Sequence, residues 1–477
     1  MNATRTETDS FGAIEVPAQA LWGAQTARSL QFFAIGEQRM PAAVIHAIAC
    51  FKWAAAQVNG ELGLLDSGRA QVIADAAWRV AKGDFDDQFP LSVWQTGSGT
   101  QSHMNVNEVV AALATRALAI QAAGEGGEVG DGVTVSAHDH VNLGQSSNDI
   151  FPSAMHLAVA MQMREALWPA LQGLRNALAA KARSWSAVVK IGRTHLQDAT
   201  PVTLGQEFGG YVAQLDLCRN HLENALDTVY ALAVGGTAVG TGLNTHPQFG
   251  QMVAATLAQR FDLPLVQADN LFAAMAGHEA LVALHGALKG LAIALIKIGN
   301  DIRLMGSGPR AGLGELQLPE NEPGSSIMPG KVNPTQVEAL CMVCAQVMGH
   351  DAAIGFAASQ GQFELNVYKP LIALNTLDSL RLLSDAMNSF AAHCVAGLQV
   401  NVDRVDELLN RSLMLVTALA PHIGYARAAA VAKHAHATGS TLRDAALALG
   451  AVTGEQFDTW VDPGQMLGPL DGAASGG

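Results

Sequence analysis

The sequence predicts a mainly α-helical protein, with a subunit built around a central bundle of five long helices. Three observations carry this. Of 477 residues, 49% are hydrophobic but only 5% aromatic, and the apolar majority is Ala and Leu, which favours helix. Apolar residues recur at helical spacing through most of the region between 152 and 397. Within it, Leu281, Leu284, Leu288, Leu291, Leu295 and Ile298 step by three and four, a heptad seam.

Residues 11–17 read as a short strand and turn, and 41–64 and 68–82 as helical patterns. A polar, glycine-containing turn at 94–102 feeds a helix start at 105–114. A second loop, 124–149, is rich in Gly, His, Ser and Asn. The five long helices are expected at about 152–185, 203–233, 269–306, 334–359 and 370–397. The third is apolar nearly all round, since Ala280, Val282, Ala283, Ala287, Ala292, Ile293 and Ile296 occupy its other faces. Such a helix must be buried on several sides, which points to packing across subunits; the alternative is the centre of a monomeric bundle. After Val400 shorter helices, at 402–409, 414–420, 425–438 and 441–449, are broken by Pro421, Gly424 and Gly439. The expected domains are 1–144 (mixed, mostly helical), 145–400 (the bundle) and 401–477 (small and helical).

Between the third and fourth long helices, 306–334 carries Gly and Pro every few residues, so no helix continues through it. An irregular connection this long is a functional lid or a linker. Its Ser325, Ser326, Met328, Lys331 and Asn333 favour a catalytic loop.

Composition excludes several classes. A net charge of −14 argues against a nucleic-acid partner. The polar N-terminus has no secretory pattern. No uninterrupted apolar run reaches membrane-spanning length, because Lys289 and Lys297 interrupt the most apolar helix. Five scattered cysteines fit a reducing, cytoplasmic setting. Cys341 and Cys344 form a CxxC inside an apolar helical pattern without a second ligand pair, so buried helix cysteines are expected rather than a metal site. The 235–242 run has phosphate-loop glycines but no following Lys, and it follows a helix. No metal or cofactor site is expected.

Four polar stretches stand out: 96–100, 145–149, 192–198 and 324–334. The first, second and fourth precede helix starts, where Ser, Thr and Asn serve as N-caps. Helix N-termini also attract anions, so several converging with one Lys would form a carboxylate pocket. His195 sits at an irregular element end, and Glu338 lies near the start of the helix after the loop. Glu338 either complements a helix dipole or orients a His.

The 324–335 run, Gly-Ser-Ser-Ile-Met-Pro-Gly-Lys-Val-Asn-Pro-Thr, resembles the signature loop of the fumarase/aspartase superfamily. Gly330 and Thr335 resemble the class II fumarase wording, whereas aspartases typically carry Ala at the former position. Segments at 21–26, 94–102, 145–149, 190–201, 235–244 and 361–366 also resemble class II fumarases, in the expected order.

The resemblance implies a three-domain subunit, a tetrameric helical core, and active sites shared between subunits. It implies reversible trans-addition of water to fumarate, giving (S)-malate, without metal or organic cofactor. The catalytic residues would be Ser325 as base, with His195 and its partner Glu338 on the hydroxyl side. Ser98, Gly99, Thr100, Ser146, Ser147, Asn148, Thr194, Ser326, Lys331, Val332 and Asn333 would bind the dicarboxylate. Alternatives are an aspartate ammonia-lyase or a hydratase of a substituted fumarate.

An accessory dicarboxylate site of many class II fumarases maps onto Ser136, Ala137, His138 and Asp139, of which only Asp139 agrees with the usual His-Pro-Asn-Asp. Leu143 and Gly144 replace the usual Lys-Ser, and His103 stands where Asn is usual. These changes are expected to tune affinity or admit a related substrate.

Overall fold

The computed structural model, which describes residues 3–124 and 134–469, is mainly helical with short two-stranded sheets. Residues 125–133 of the expected second loop lie outside the described residues. The first helices are α1 (Ala24–Phe32), α2 (Ala42–Glu61), α3 (Ser67–Ala81) and α4 (Thr100–Gly124). Next come α5 (Ser147–Gln162), α6 (Trp168–Ser184), α7 (Leu204–Val229), α8 (Phe249–Phe261), α9 (Leu271–Ala276), α10 (Glu279–Met305), α11 (Thr335–Ala358) and α12 (Lys369–His393). The last are α13 (Val402–Arg411), α14 (Ala420–Ile423), α15 (Tyr425–Thr438), α16 (Leu442–Ala448) and α17 (Gly454–Trp460).

Four differences from the expected elements matter. The helix expected at 105 begins at Thr100, so the polar turn is shorter and its last residues are helical. The helix expected at 152–185 is two, α5 and α6, joined by a wide helical turn at Met163–Leu167. The helix expected at 269–306 breaks at Gly277, which is extended and closes α9 before α10 starts. Helix α8 was not anticipated; its short buried stripe of Phe249, Val253, Ala254 and Leu257 follows a Gly- and Thr-rich run that reads as loop.

The chain forms two compact units. Unit 1 comprises Met1–Pro169, Cys218–Ala292 and Cys344–Ser384; unit 2 comprises Ala170–Leu217, Ile293–Val343 and Asp385–Gly477.

In unit 1, strand β1 (Thr4–Asp9) pairs antiparallel with β2 (Gly12–Pro17). The first strand's Thr-Arg-Thr-Glu-Thr-Asp wording hid it. Helix α2 packs against α3, α5 and α8 and buries Val44, Ile48, Phe51, Ala54 and Val58 completely or nearly so. Each such large side chain contributes about 1.5–3 kcal/mol. Asp66 caps α3 by accepting from the Arg69 N–H.

In unit 2, β3 (Val189–Thr194) and β4 (Gln197–Thr203) form an antiparallel hairpin. Ile191 of β3 joins Leu409, Leu419, Val431, Ala445 and Phe457 in one apolar cluster, so the C-terminal helices close their core on this hairpin.

The heptad seam holds: Leu281, Leu284, Leu288, Leu291, Leu295 and Ile298 are all 0% exposed. Other apolar side chains of these helices stay exposed in the single chain, among them Ile293, Met342 and Phe356. By length and composition α10 and α11 are apolar enough to cross a bilayer. This corrects the reading from uninterrupted runs, because two lysines do not lower the mean hydropathy enough. The internal seam gives α10 a different use.

The stretch 306–334 is not uniformly irregular. Leu316–Gln317 pairs with Gln399–Val400. The Arg404 guanidinium donates to the Leu313 and Gly312 carbonyls, and the Asn401 N–H donates to the Glu315 carbonyl at 2.9 Å. Its first half is therefore a pinned stalk, and the exposed residues of its second half are 320–323 and 326–332.

Candidate active site

His195 occupies the tip of the β3–β4 hairpin rather than a loose element end. Thr194 pairs with Gln197, leaving His195 and Leu196 as a two-residue turn with φ of 56° and 59°. Two successive left-handed residues are what a tight hairpin needs, and both are non-glycine, a conformation that stores backbone strain. Thr194 and His195 are thereby held exposed at the end of a rigid ribbon.

Ser325 sits at the start of a tight turn, its Oγ accepting from the Ile327 and Met328 N–H groups at 3.2 and 3.0 Å. The loop closes at its neck: the Gly324 N–H donates to the Lys331 carbonyl at 3.0 Å, and the Asn333 amide donates to the Gly324 carbonyl. A side chain at Gly324 would meet the Lys331 carbonyl oxygen at 2.2 Å, so this neck requires glycine. Ser326, Lys331 and Val332 are exposed around it.

The other two turns meet in unit 1. Ser98 Oγ lies 2.8 Å from Thr100 Oγ1, which lies 2.7 Å from Ser147 Oγ. The hydroxyls thus link the N-termini of α4 and α5, where free N–H groups and positive dipole ends favour anions. Gly99 has φ +77°, and a Cβ there would meet the Phe151 ring at 2.3 Å. At Gly97 a Cβ would stand 1.3 Å from the Val367 carbonyl oxygen.

Ser146 caps α5 in a reciprocal box with Asp149. Asp149 also accepts from the Gly235 and Thr237 N–H groups at 3.0 and 3.1 Å, and Asn148 donates to the Ala238 carbonyl at 2.8 Å. The 235–242 glycine run therefore supports the second turn. Burial pushes the Asp149 carboxyl up to about 6, against the three N–H groups and Lys52 that favour its charged form.

His195 and Glu338 both lie in unit 2, yet neither makes a side-chain hydrogen bond or ion pair among the described residues. The single chain does not bring them together as a pair. His103, which stands where Asn is usual, is 1% exposed and lies against Lys52 Nζ at 2.6 Å.

In the accessory stretch, Ser136 caps a wide turn by accepting from the Asp139 N–H at 3.0 Å and donating to its carboxylate at 2.8 Å. His138 Nε2 lies 2.9 Å from Gln25 Nε2, at the edge of a cavity of about 810 Å³ lined by Arg5, Gln25, Arg116, Ala137 and His138, among others.

Three residues behind these turns escaped the sequence reading: Asp149 as an anchor, Lys52 and Gln145. Asp149 carried a signal, an acid three residues after Ser146 at a helix start. Lys52 carried one too, as the lone charge in the apolar middle of α2.

Comparison with known proteins shows the family. The family described as "Lyase" matches residues 12–349, and "Fumarase C C-terminus" matches residues 415–468. A protein named fumarate hydratase class II from Chromobacterium violaceum is 61% identical over 463 residues, covering 97% of this chain and 99% of that one. One of the same name from Methylorubrum extorquens is 59% identical over 466 residues, covering 98% and 97%. The crystal structure of a class II fumarase from Schistosoma mansoni superposes with a TM-score of 0.94 at 45% identity, covering 98% of this chain and 100% of that one. A Brucella melitensis structure described as fumarate lyase:delta crystallin, bound to cobalt, gives 0.91 at 40% identity, covering 98% and 100%. This chain belongs to the class II fumarase family of lyases.

Proposed function

We propose that this chain is a fumarate hydratase, interconverting fumarate and (S)-malate by trans-addition of water. The observation that carries the reading is Ser325, whose hydroxyl oxygen accepts from two loop N–H groups. A serine hydroxyl is a poor base unless its alkoxide is stabilised, and these donors supply that stabilisation.

In the dehydration direction the Ser325 alkoxide takes the C3 proton of malate, leaving a carbanion delocalised into the adjacent carboxylate. Lys331, Asn333 and Ser326 stabilise the charge that develops there. Ser98, Gly99, Thr100, Ser146, Ser147, Asn148, Thr194 and Val332 hold the substrate. His195, oriented by Glu338, protonates the departing hydroxide, which leaves as water. No step is assigned to a metal or organic cofactor.

The working unit in this reading is a homotetramer with active sites shared between subunits. Exposed Ile293, Met342 and Phe356 on α10 and α11 support it, as does the lack of a hydrogen bond or ion pair between His195 and Glu338 among the described residues of the single chain. The reading places the enzyme in the cytoplasm and the tricarboxylic acid cycle, and keeps the division at 144 and 400.

Gly330 and Thr335, and relatives named fumarate hydratase, favour hydration over ammonia elimination. The test follows ultraviolet absorbance of the fumarate double bond with malate or aspartate added to the purified protein. Absorbance is expected to grow with malate; growth with aspartate alone would overturn the assignment.

A further inference from the structure

Lys52 is 0% exposed in the middle of α2. Burial holds its ammonium well below the usual lysine range, with the Asp149 charge opposing that. Its Nζ lies 2.6 Å from His103 Nε2, 2.8 Å from Gln145 Oε1 and 3.1 Å from Asn142 Oδ1. Three partners satisfy the nitrogen in either protonation state. An ammonium donates to all three; an amine donates to the two amide oxygens and accepts from the His103 N–H.

The amide orientations are set independently. Asn142 Nδ2 donates to the Gln145 carbonyl at 3.2 Å, and Gln145 Nε2 donates to the Val141 and Leu143 carbonyls at 3.1 and 3.2 Å. One buried nitrogen therefore ties α2 to α4, through His103, and to the turn that leads into α5, through Asn142 and Gln145.

The two tethered elements are those that carry the hydroxyl cluster. His103 lies one helical turn beyond Thr100 on α4, and Gln145 immediately precedes Ser146, Ser147 and Asn148. We propose that Lys52 and His103 are positioning residues for dicarboxylate binding: they fix the approach of α4 to the α5 turn, and so the meeting of Thr100 and Ser147. The inference rests on the proposed reaction only for the ligand's identity. It gives a physical route by which the departure at His103 tunes affinity.

The test uses His103→Leu, which removes the partner of Lys52, and His103→Asn, which keeps a polar group able to donate or accept. Succinate, a saturated four-carbon dicarboxylate, is the binding probe by calorimetry, and malate turnover is measured alongside. The leucine variant is expected to bind succinate about tenfold more weakly, and to raise KM for malate about tenfold with kcat within about twofold. The asparagine variant is expected to restore both. Lys52→Met is the second route, with the same rise in KM. Unchanged succinate affinity in folded His103→Leu and Lys52→Met proteins overturns the positioning role, as does an equal loss in His103→Asn. Loss of malate turnover in the wild type, with succinate binding following the expected pattern, overturns the proposed reaction and leaves this inference standing.

Discussion

Arg193 and Glu315 are joined through both carboxylate oxygens: Nη1 donates to Oε2 at 3.0 Å, and Nη2 lies 2.9 Å from Oε1. Arg193 is two residues from His195 on the hairpin, and Glu315 lies in the pinned stalk of the catalytic loop. Lys190 of the same strand adds a contact to Glu315 at 3.3 Å and another to Glu207 at 3.1 Å. One carboxylate, 0% exposed, thus fastens the base of the Ser325 loop to the hairpin that presents His195.

Glu315→Gln removes the charge that Arg193 and Lys190 face. Lys190 keeps Glu207, but the half-buried Arg193 loses its carboxylate at a cost of about 3 kcal/mol, and slack between hairpin and loop misplaces reacting groups, lowering kcat about tenfold or more. Urea unfolding and malate turnover measure the two effects. A variant with wild-type stability and kcat would show that the junction is incidental.

Ser325→Ala and His195→Asn are each expected to lower malate turnover by about a hundredfold or more. Neither side chain belongs to the core. The serine accepts two loop N–H bonds, so its loss costs about 1 kcal/mol locally. Light scattering should report the same assembly as the wild type. Near-normal turnover in both variants sinks the proposed roles.

Two sets of buried groups give opposite pH dependences. Asp149 has its folded value raised to about 6, mainly by burial, and burial raises the Glu108 carboxyl in the same sense. Between about pH 4 and 6 the native Asp149 carboxyl therefore holds more proton than the unfolded one, so its contribution to stability falls as pH rises through that window. His103, His156, His278, His285 and His350 are all lowered by burial. Below about pH 6.5 the unfolded chain takes up protons that these native rings do not, so their contribution is present above that pH and is lost as pH falls. Five groups outweigh two, and net stability is expected to climb from about pH 5 to 6.5. Asp149→Asn removes its share of the opposing slope, leaving that of Glu108, and should steepen the climb. Denaturant melts at half-unit pH steps test this; stability falling with pH over that range contradicts it.

The sequence by itself determined the helical class, the heptad seam and the residue types of the four polar segments. Local periodicity and Gly/Pro placement act over one or two turns of chain, and these features depend on little else. Boundaries were less legible. Thr100 starts α4 because Ser98, Thr100 and Ser147 satisfy one another across 47 residues, and Gly277 ends α9 where periodicity alone would run on. Only the tertiary structure decided that His195 tips a strained hairpin, that Glu315 holds this hairpin to the loop, and that His103 is buried against Lys52. Each of these depends on burial and on partners distant in sequence, and the free energy of a polar group is set by the partners it finds once water is gone.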